Sequence, residues 1–70
     1  MNLATIGKRI QSLRKGRAWS CRELARKAKV SANTILNAEA GDSISTSTLY
    51  KIADALGVDV VALTIESKKN

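Results

Sequence analysis

Between Ser20 and Gly41 the chain reads SCRELARKAKVSANTILNAEAG, and the punctuation of this stretch leaves little freedom in how it folds. Ser20 followed three residues later by Glu23 is a capping box, in which the hydroxyl and the carboxylate each satisfy a backbone N–H that a first helical turn leaves unpaired. A helix therefore starts there. Ser31 can cap a second start, and Gly41 suits the left-handed residue that closes a helix. Helices this short are marginal alone in water, so each must be held by packing against the other and against the rest of the chain. The segment predicts two short helices joined by a tight turn, with a fixed mutual orientation.

The chain has 70 residues, which is one domain spanning 1–70. A domain of this size buries only roughly 60% of the surface its unfolded form exposes, so it builds a single small core. The one cysteine allows no internal disulfide, and with no histidine and no cysteine cluster there is no zinc staple. No metal, cofactor or small-molecule ligand is expected. No apolar run reaches the length of a membrane span and the N-terminus lacks the plan of a secretory signal, so the expectation is a cytoplasmic protein without a membrane partner. Charge is more telling. Residues 1–35 carry nine Lys or Arg against Glu23 alone, whereas residues 36–70 carry three Lys against five acids. One half of the molecule attracts polyanions, the footprint of a nucleic-acid binder, although a solvated basic face gives the same count.

Apolar residues recur at helical spacing in five places and never alternate for long, which predicts an all-α bundle of five helices. Ile6, Ile10 and Leu13 form the stripe of the first helix, which ends near Gly16 or Arg17. Trp19 precedes the Ser20 cap, where an apolar residue staples the entry of the chain. Leu24, Ala25 and Ala28 face inward from the second helix. A fourth helix begins after the hydroxyl cluster Ser43 to Thr48, carries Leu49, Ile52, Ala53 and Leu56 inward, and stops at Gly57. In a short fifth helix Val58, Val61 and Leu63 close the core, while Val60 and Ile65 are surplus to it. The strip Val58, Val60, Val61 and Ile65 is the candidate contact with a second copy of the chain. Residues from Ser67 onward are expected to fray.

Stepping about 100° per residue from Asn33 puts Ile35 and Ala38 on one side of the third helix and Asn33, Leu36, Asn37 and Ala40 on the other. The outer side is uncharged and slim enough for a major groove. Its two amides match the N7 acceptor and N6 donor of adenine, and Ala32 and Leu36 can add apolar contact to thymine methyls. Guanine readout calls for Arg or Lys, and none occurs between Ser31 and Gly41. An A·T-leaning half-site follows. The plainer alternatives are solvated asparagines and a Leu36 that contacts protein.

Several segments together resemble the helix-turn-helix domains of the lambda repressor and Cro type, the XRE-type family. They are IGKRIQSLRKG, RELARKAKVSANTI, the EAG ending and LYKIADALGVDVVAL, in the family's order and at closely matching spacing. The resemblance implies that the helices before and after the tight turn form the helix-turn-helix. It also implies that Ala32, Asn33 and Asn37 fall where such proteins read bases, and that Arg14 pairs with Glu39. Phosphate contacts are then expected from Ser20, Cys21 and Arg22 at the start of the second helix and from Ser31 and Thr34 at the start of the third. Three departures stand out. Cys21 replaces the family's usual phosphate-holding glutamine, leaving the backbone N–H groups to serve. Lys29 fills a turn position often held by glycine, at a cost on the order of 1 kcal/mol if the backbone there is left-handed. The loop after Gly41 reads Asp42-Ser43 where relatives are commonly basic, so the far phosphate clamp falls to Ser45, Thr46, Ser47 or Lys51.

These features predict a sequence-specific DNA-binding transcriptional regulator, a repressor acting as a homodimer on a palindromic site in double-stranded DNA. The rival is a protein-binding module, such as an antitoxin whose main target is a partner protein. Catalysis is excluded on composition: there is no histidine, no paired carboxylates beside a nucleophile and no phosphate-cradling glycine loop. Cys21 has two readings, a small residue in a small space or an oxidisable thiol. The lack of a second cysteine to resolve a sulfenic acid favours the first.

Overall fold

The protein is described by a computed structural model that covers residues 2–65. The expectation for Ser67 to Asn70 lies outside the described residues. Five helices follow in order, α1 Leu3–Gly16, α2 Cys21–Ala28, α3 Ala32–Glu39, α4 Thr46–Leu56 and α5 Val60–Thr64, with no strand among the described residues.

Each helix begins on a side chain that satisfies its own first turn. Asn2, Ser20, Ser31, Ser45 and Asp59 are the N-caps of α1 to α5, each accepting from a backbone N–H two or three residues ahead. At Ser20 the box is complete, with Glu23 N–H to the serine hydroxyl and Ser20 N–H to the carboxylate both at 3.1 Å. Of the hydroxyl cluster before α4, Ser45 is the cap. The stops are equally local. Gly57 closes α4 at φ 72°, and Gly41 follows α3 at φ 90°. Two residues with side chains also take the left-handed conformation, Lys29 at φ 61° after α2 and Ala18 at φ 60° in the α1–α2 turn.

Seven large side chains, Ile6, Ile10, Leu24, Ile35, Ile52, Leu56 and Leu63, are sealed from solvent. Each contributes about 1.5–3 kcal/mol of burial. Leu13 sits half-buried at the edge of this cluster, as does Trp19. In the fifth helix the expected roles of two valines are exchanged: Val60 packs against the core and Val61 is exposed. The helix starts at Val60, so Val60 and Leu63 lie about 60° apart on its wheel, with Val61 turned away from Leu63.

α3 lies between α1 and α2, and α5 packs on α1 and α4. Arginines fasten the ends. Arg9 donates to the carbonyls of Ala62 and Ile65 at the end of α5, and Arg17 donates to Leu56 O at the end of α4 at 2.6 Å. Arg17 and Lys27 both lie over the Trp19 ring, at 5.7 and 4.8 Å from its centre. Among the described residues no helix is long and apolar enough to cross a membrane, and no group of three His, Cys, Asp or Glu is placed to hold a metal ion.

Candidate nucleic-acid interface

α3 divides as its sequence requires. Ile35 and Ala38 are buried, and Asn33, Leu36, Asn37 and Ala40 are exposed, Leu36 to 54%. Ala32 differs from the other proposed base contacts, because it is half-buried against the core and offers only part of its methyl. At the start of α3, Ser31 Oγ accepts from Thr34 N–H at 3.1 Å and shares a proton with Thr34 Oγ1 at 2.8 Å. Two hydroxyls joined by one hydrogen bond keep one proton free to donate outward. The N–H groups of Ala32 and Asn33 precede the first intrahelical bond, so this end of α3 is rich in donors.

The starts of α2 and α4 repeat the arrangement. At α2 the Cys21 and Arg22 N–H groups lie ahead of the first intrahelical bond, and the Arg22 side chain is exposed. The Cys21 thiol, however, turns toward the protein, with Sγ 3.9 Å from both oxygens of Glu39. Any phosphate contact at that position is left to the backbone. At α4, Ser45 Oγ accepts from Thr48 N–H and donates to Thr48 Oγ1 at 2.9 Å. A small polar depression between α3 and this helix start is lined by Thr34, Asn37, Ser43, Ile44, Ser45 and Thr48. It brings Thr34, Asn37 and Ser45 together. Thr46, Ser47 and Lys51 are exposed on α4 but do not line it.

Behind this face Arg14 and Glu39 form a two-pronged ion pair, Nε to Oε2 at 2.6 Å and Nη2 to Oε1 at 3.0 Å. Both side chains are nearly enclosed, 11% and 7% exposed, and Arg14 Nη1 also donates to Trp19 O at 2.8 Å. The hydrogen bond from Glu39 raises the Arg14 pKa above its ordinary value, while burial works against it. The pair joins α1 to the last residue of α3. On the far side, Val61 and Ile65 are exposed to 53% and 58%, whereas Val58 and Val60 rest half-buried on the core. Tyr50, 57% exposed on α4, was not foreseen as a surface apolar residue. Nor was Gly7, whose inward face meets the backbone of α3. An unbroken small residue in a helical apolar stripe is the one sequence signal that marks it.

Two short capped helices joined by a tight turn, the second presenting an uncharged amide strip and backed by a basic first helix, make a helix-turn-helix domain. The chain belongs to the HTH_3 family, described as helix-turn-helix, whose model matches residues 10–63. It is a DNA-binding transcriptional regulator of the XRE type, not an enzyme. Among solved structures it is similar to the N-terminal DNA-binding domain of SinR from Bacillus subtilis, at 32% identity and a TM-score of 0.85, covering 94% of this chain and 99% of that one. It is also similar to the restriction-modification controller protein C.AhdI from Aeromonas hydrophila, at 26% identity and a TM-score of 0.83, covering 87% and 94%. SinR, the master regulator for biofilm formation, matches in complex with DNA as well, at 35% identity and a TM-score of 0.77, over 83% and 95%. No curated protein matches the sequence.

Proposed function

We propose that α3 lies in the major groove and reads an A·T-leaning half-site through Asn33 and Asn37, with Leu36 and the accessible part of Ala32 against thymine methyls. The observation that carries this reading is the exposed, uncharged amide strip of α3 set between the donor-rich starts of α2 and α4. Ser20, the Cys21 and Arg22 N–H groups, the Arg22 side chain, Ser31 and Thr34 hold phosphates on one side. Ser45, Thr46, Ser47 and Lys51 hold them on the other. The similarity to SinR, solved in complex with DNA, supports DNA binding here.

One good bidentate contact discriminates by about 1–3 kcal/mol, too little for a single half-site to stand out in a genome. A homodimer on a palindromic operator, with half-sites about 34–36 Å apart, supplies the rest. Val61 and Ile65, with the rims of Val58 and Val60, are the surface proposed for that pairing. Occupying a promoter is enough to exclude polymerase, so repression in the cytoplasm is the proposed action. The exposed Leu36 favours a second reading, a protein-binding module of the antitoxin kind, and the same experiment separates the two. Fluorescence anisotropy against DNA flanking the protein's own gene, at several salt concentrations, measures the affinity of wild type, Asn33→Ala and Leu36→Ala. With roughly 6–10 phosphate contacts, wild-type affinity falls about a thousandfold or more between 50 and 200 mM salt. Asn33→Ala costs about tenfold or more at the best site. A flat salt response, or variants that bind that site as tightly as wild type, refutes the DNA reading.

A further inference from the structure

Helix α1 meets the C-terminal turn of α3 along one face, and the closest of these approaches leaves no room for a side chain. A Cβ added at Gly7 would lie 2.5 Å from Ala38 O and 2.7 Å from Glu39 O. Both atoms belong to the backbone, so neither can rotate aside. Ordinary contact between an aliphatic carbon and a carbonyl oxygen is about 3.3–3.6 Å, so a methyl group here separates the two helices by roughly 0.8–1 Å. One turn earlier Ala4 touches Gly41, whose ideal Cβ position lies 3.5 Å from Ala4 Cα, and two turns later Arg14 grips Glu39.

We infer that Gly7 is a positioning residue for DNA recognition: it sets the depth and tilt at which α3 projects its amides, without itself touching DNA. This rests on the reading that α3 enters the groove. Which helix yields to a side chain at position 7 follows from how each is anchored. α1 has 14 residues, buries Ile6 and Ile10 completely, and is tied to the end of α5 through Arg9. α3 has 8 residues and buries two, Ile35 and Ala38. Its far end is held by the turn to α2, and Arg14 restrains Glu39 from the side. The shorter helix tilts. Hydrogen bonds to base edges need donor–acceptor distances near 2.7–3.2 Å and weaken steeply off that geometry. Because α2, α4 and the held start of α3 at Ser31 and Thr34 fix the phosphates, an α3 displaced at its other end cannot recover its base contacts by moving the whole domain.

The test compares Gly7→Ala, alone and on an Ala18→Gly background that relieves the left-handed alanine, with wild type and with Ile52→Val. The last trims a buried side chain of α4, on neither helix of the α1–α3 contact. Thermal unfolding reports stability, and anisotropy at several salt concentrations reports affinity for the operator and for a random-sequence duplex. Gly7→Ala is expected to lose about tenfold or more in operator affinity, the worth of one base contact. Its affinity for random duplex and its salt slope stay at wild-type values, because the phosphate contacts survive. Ile52→Val loses melting temperature but keeps the operator-to-random ratio. The inference is overturned if folded Gly7→Ala keeps the wild-type ratio, if Ile52→Val loses the ratio equally, or if Gly7→Ala fails to fold even with Ala18→Gly. Wild type without operator preference, or indifference to Asn33→Ala, removes the groove reading and this inference with it. Preference lost in Asn33→Ala but kept in Gly7→Ala removes this inference alone.

Discussion

Neutralising Glu39 isolates the energetics of the pair that ties α1 to the end of α3. In Glu39→Gln the side chain keeps its size, yet Arg14 keeps a full charge in a site where only 11% of its side chain meets solvent. Burial alone disfavours the charged guanidinium, and the Glu39 hydrogen bond is what outweighs it. Breaking one side of a buried ion pair costs about 3–5 kcal/mol, against about 0–1 kcal/mol for an exposed pair. The near enclosure of both partners places this pair in the first group. A chain of this size has a total stability of roughly 3.5–10 kcal/mol, so Glu39→Gln removes about a third of it or more. The melting temperature should fall by roughly 12 °C or more, at about 4–8 °C per kcal/mol.

Urea and thermal unfolding followed by circular dichroism measure this, with an unchanged m-value showing that the folded and unfolded states are still the same pair. Arg14→Met combined with Glu39→Leu removes both charges and should recover part of the loss. Recovery is incomplete, because Trp19 O loses its Arg14 donor at 2.8 Å, a deficit of about 1–3 kcal/mol. The raised pKa of Arg14 contributes stability that is fully present below its ordinary value and is lost only as pH rises through the folded one. The Glu39→Gln deficit is therefore not narrowed by Arg14 titrating near neutral pH. A Glu39→Gln loss below about 1 kcal/mol, or a double variant no more stable than the single one, refutes the reasoning.

Three further substitutions test the local geometry, each by thermal unfolding. Lys29→Gly relieves a left-handed residue at φ 61° and should stabilise by about 0.5–1 kcal/mol after glycine's extra freedom in the unfolded chain is counted. Gly57→Ala places a side chain at φ 72° with open space around it, so its cost of about 1 kcal/mol is backbone strain and not collision. Ser45→Ala leaves Thr48 N–H without its cap and should destabilise by about 0.5–2 kcal/mol, with the loss confined to α4 in amide exchange.

The features legible in the sequence are those fixed within a few residues of chain. Ser20 with Glu23, Ser31, Gly41 and Gly57 mark their helix ends through contacts to their own or neighbouring turns, and the α3 wheel follows from period alone. Where a side chain's surroundings come from a distant element, the sequence is silent. The Cys21 thiol faces Glu39, 18 residues away, which no local rule foretells. Val60 and Val61 exchange roles because neighbours on a helix differ by about 100°, and with Leu63 buried it is Val60, about 60° away, that turns inward and Val61, about 160° away, that does not. Ala18 is left-handed because the turn into Ser20 needs it, and alanine carries no signal of that conformation. Ala32 is half-covered by the core that its neighbour Ile35 enters.

The division has a consequence for how the face is built. The residues that touch DNA in the proposed docking sit on a helix of two turns whose own burial, Ile35 and Ala38, fixes its rotation but gives little leverage over its tilt. Tilt is set from outside, by Arg14 on Glu39 and by the bare backbone of Gly7 against Ala38 and Glu39, so recognition depends on α1 residues that make no contact with a base. A charged pair and a missing side chain act differently there. Loss of the first leaves a buried charge and lowers stability, whereas filling the second displaces α3 while leaving every side-chain bond of the face intact. Stability and specificity should therefore fall in different proportion: Glu39→Gln loses chiefly melting temperature, and Gly7→Ala loses chiefly discrimination.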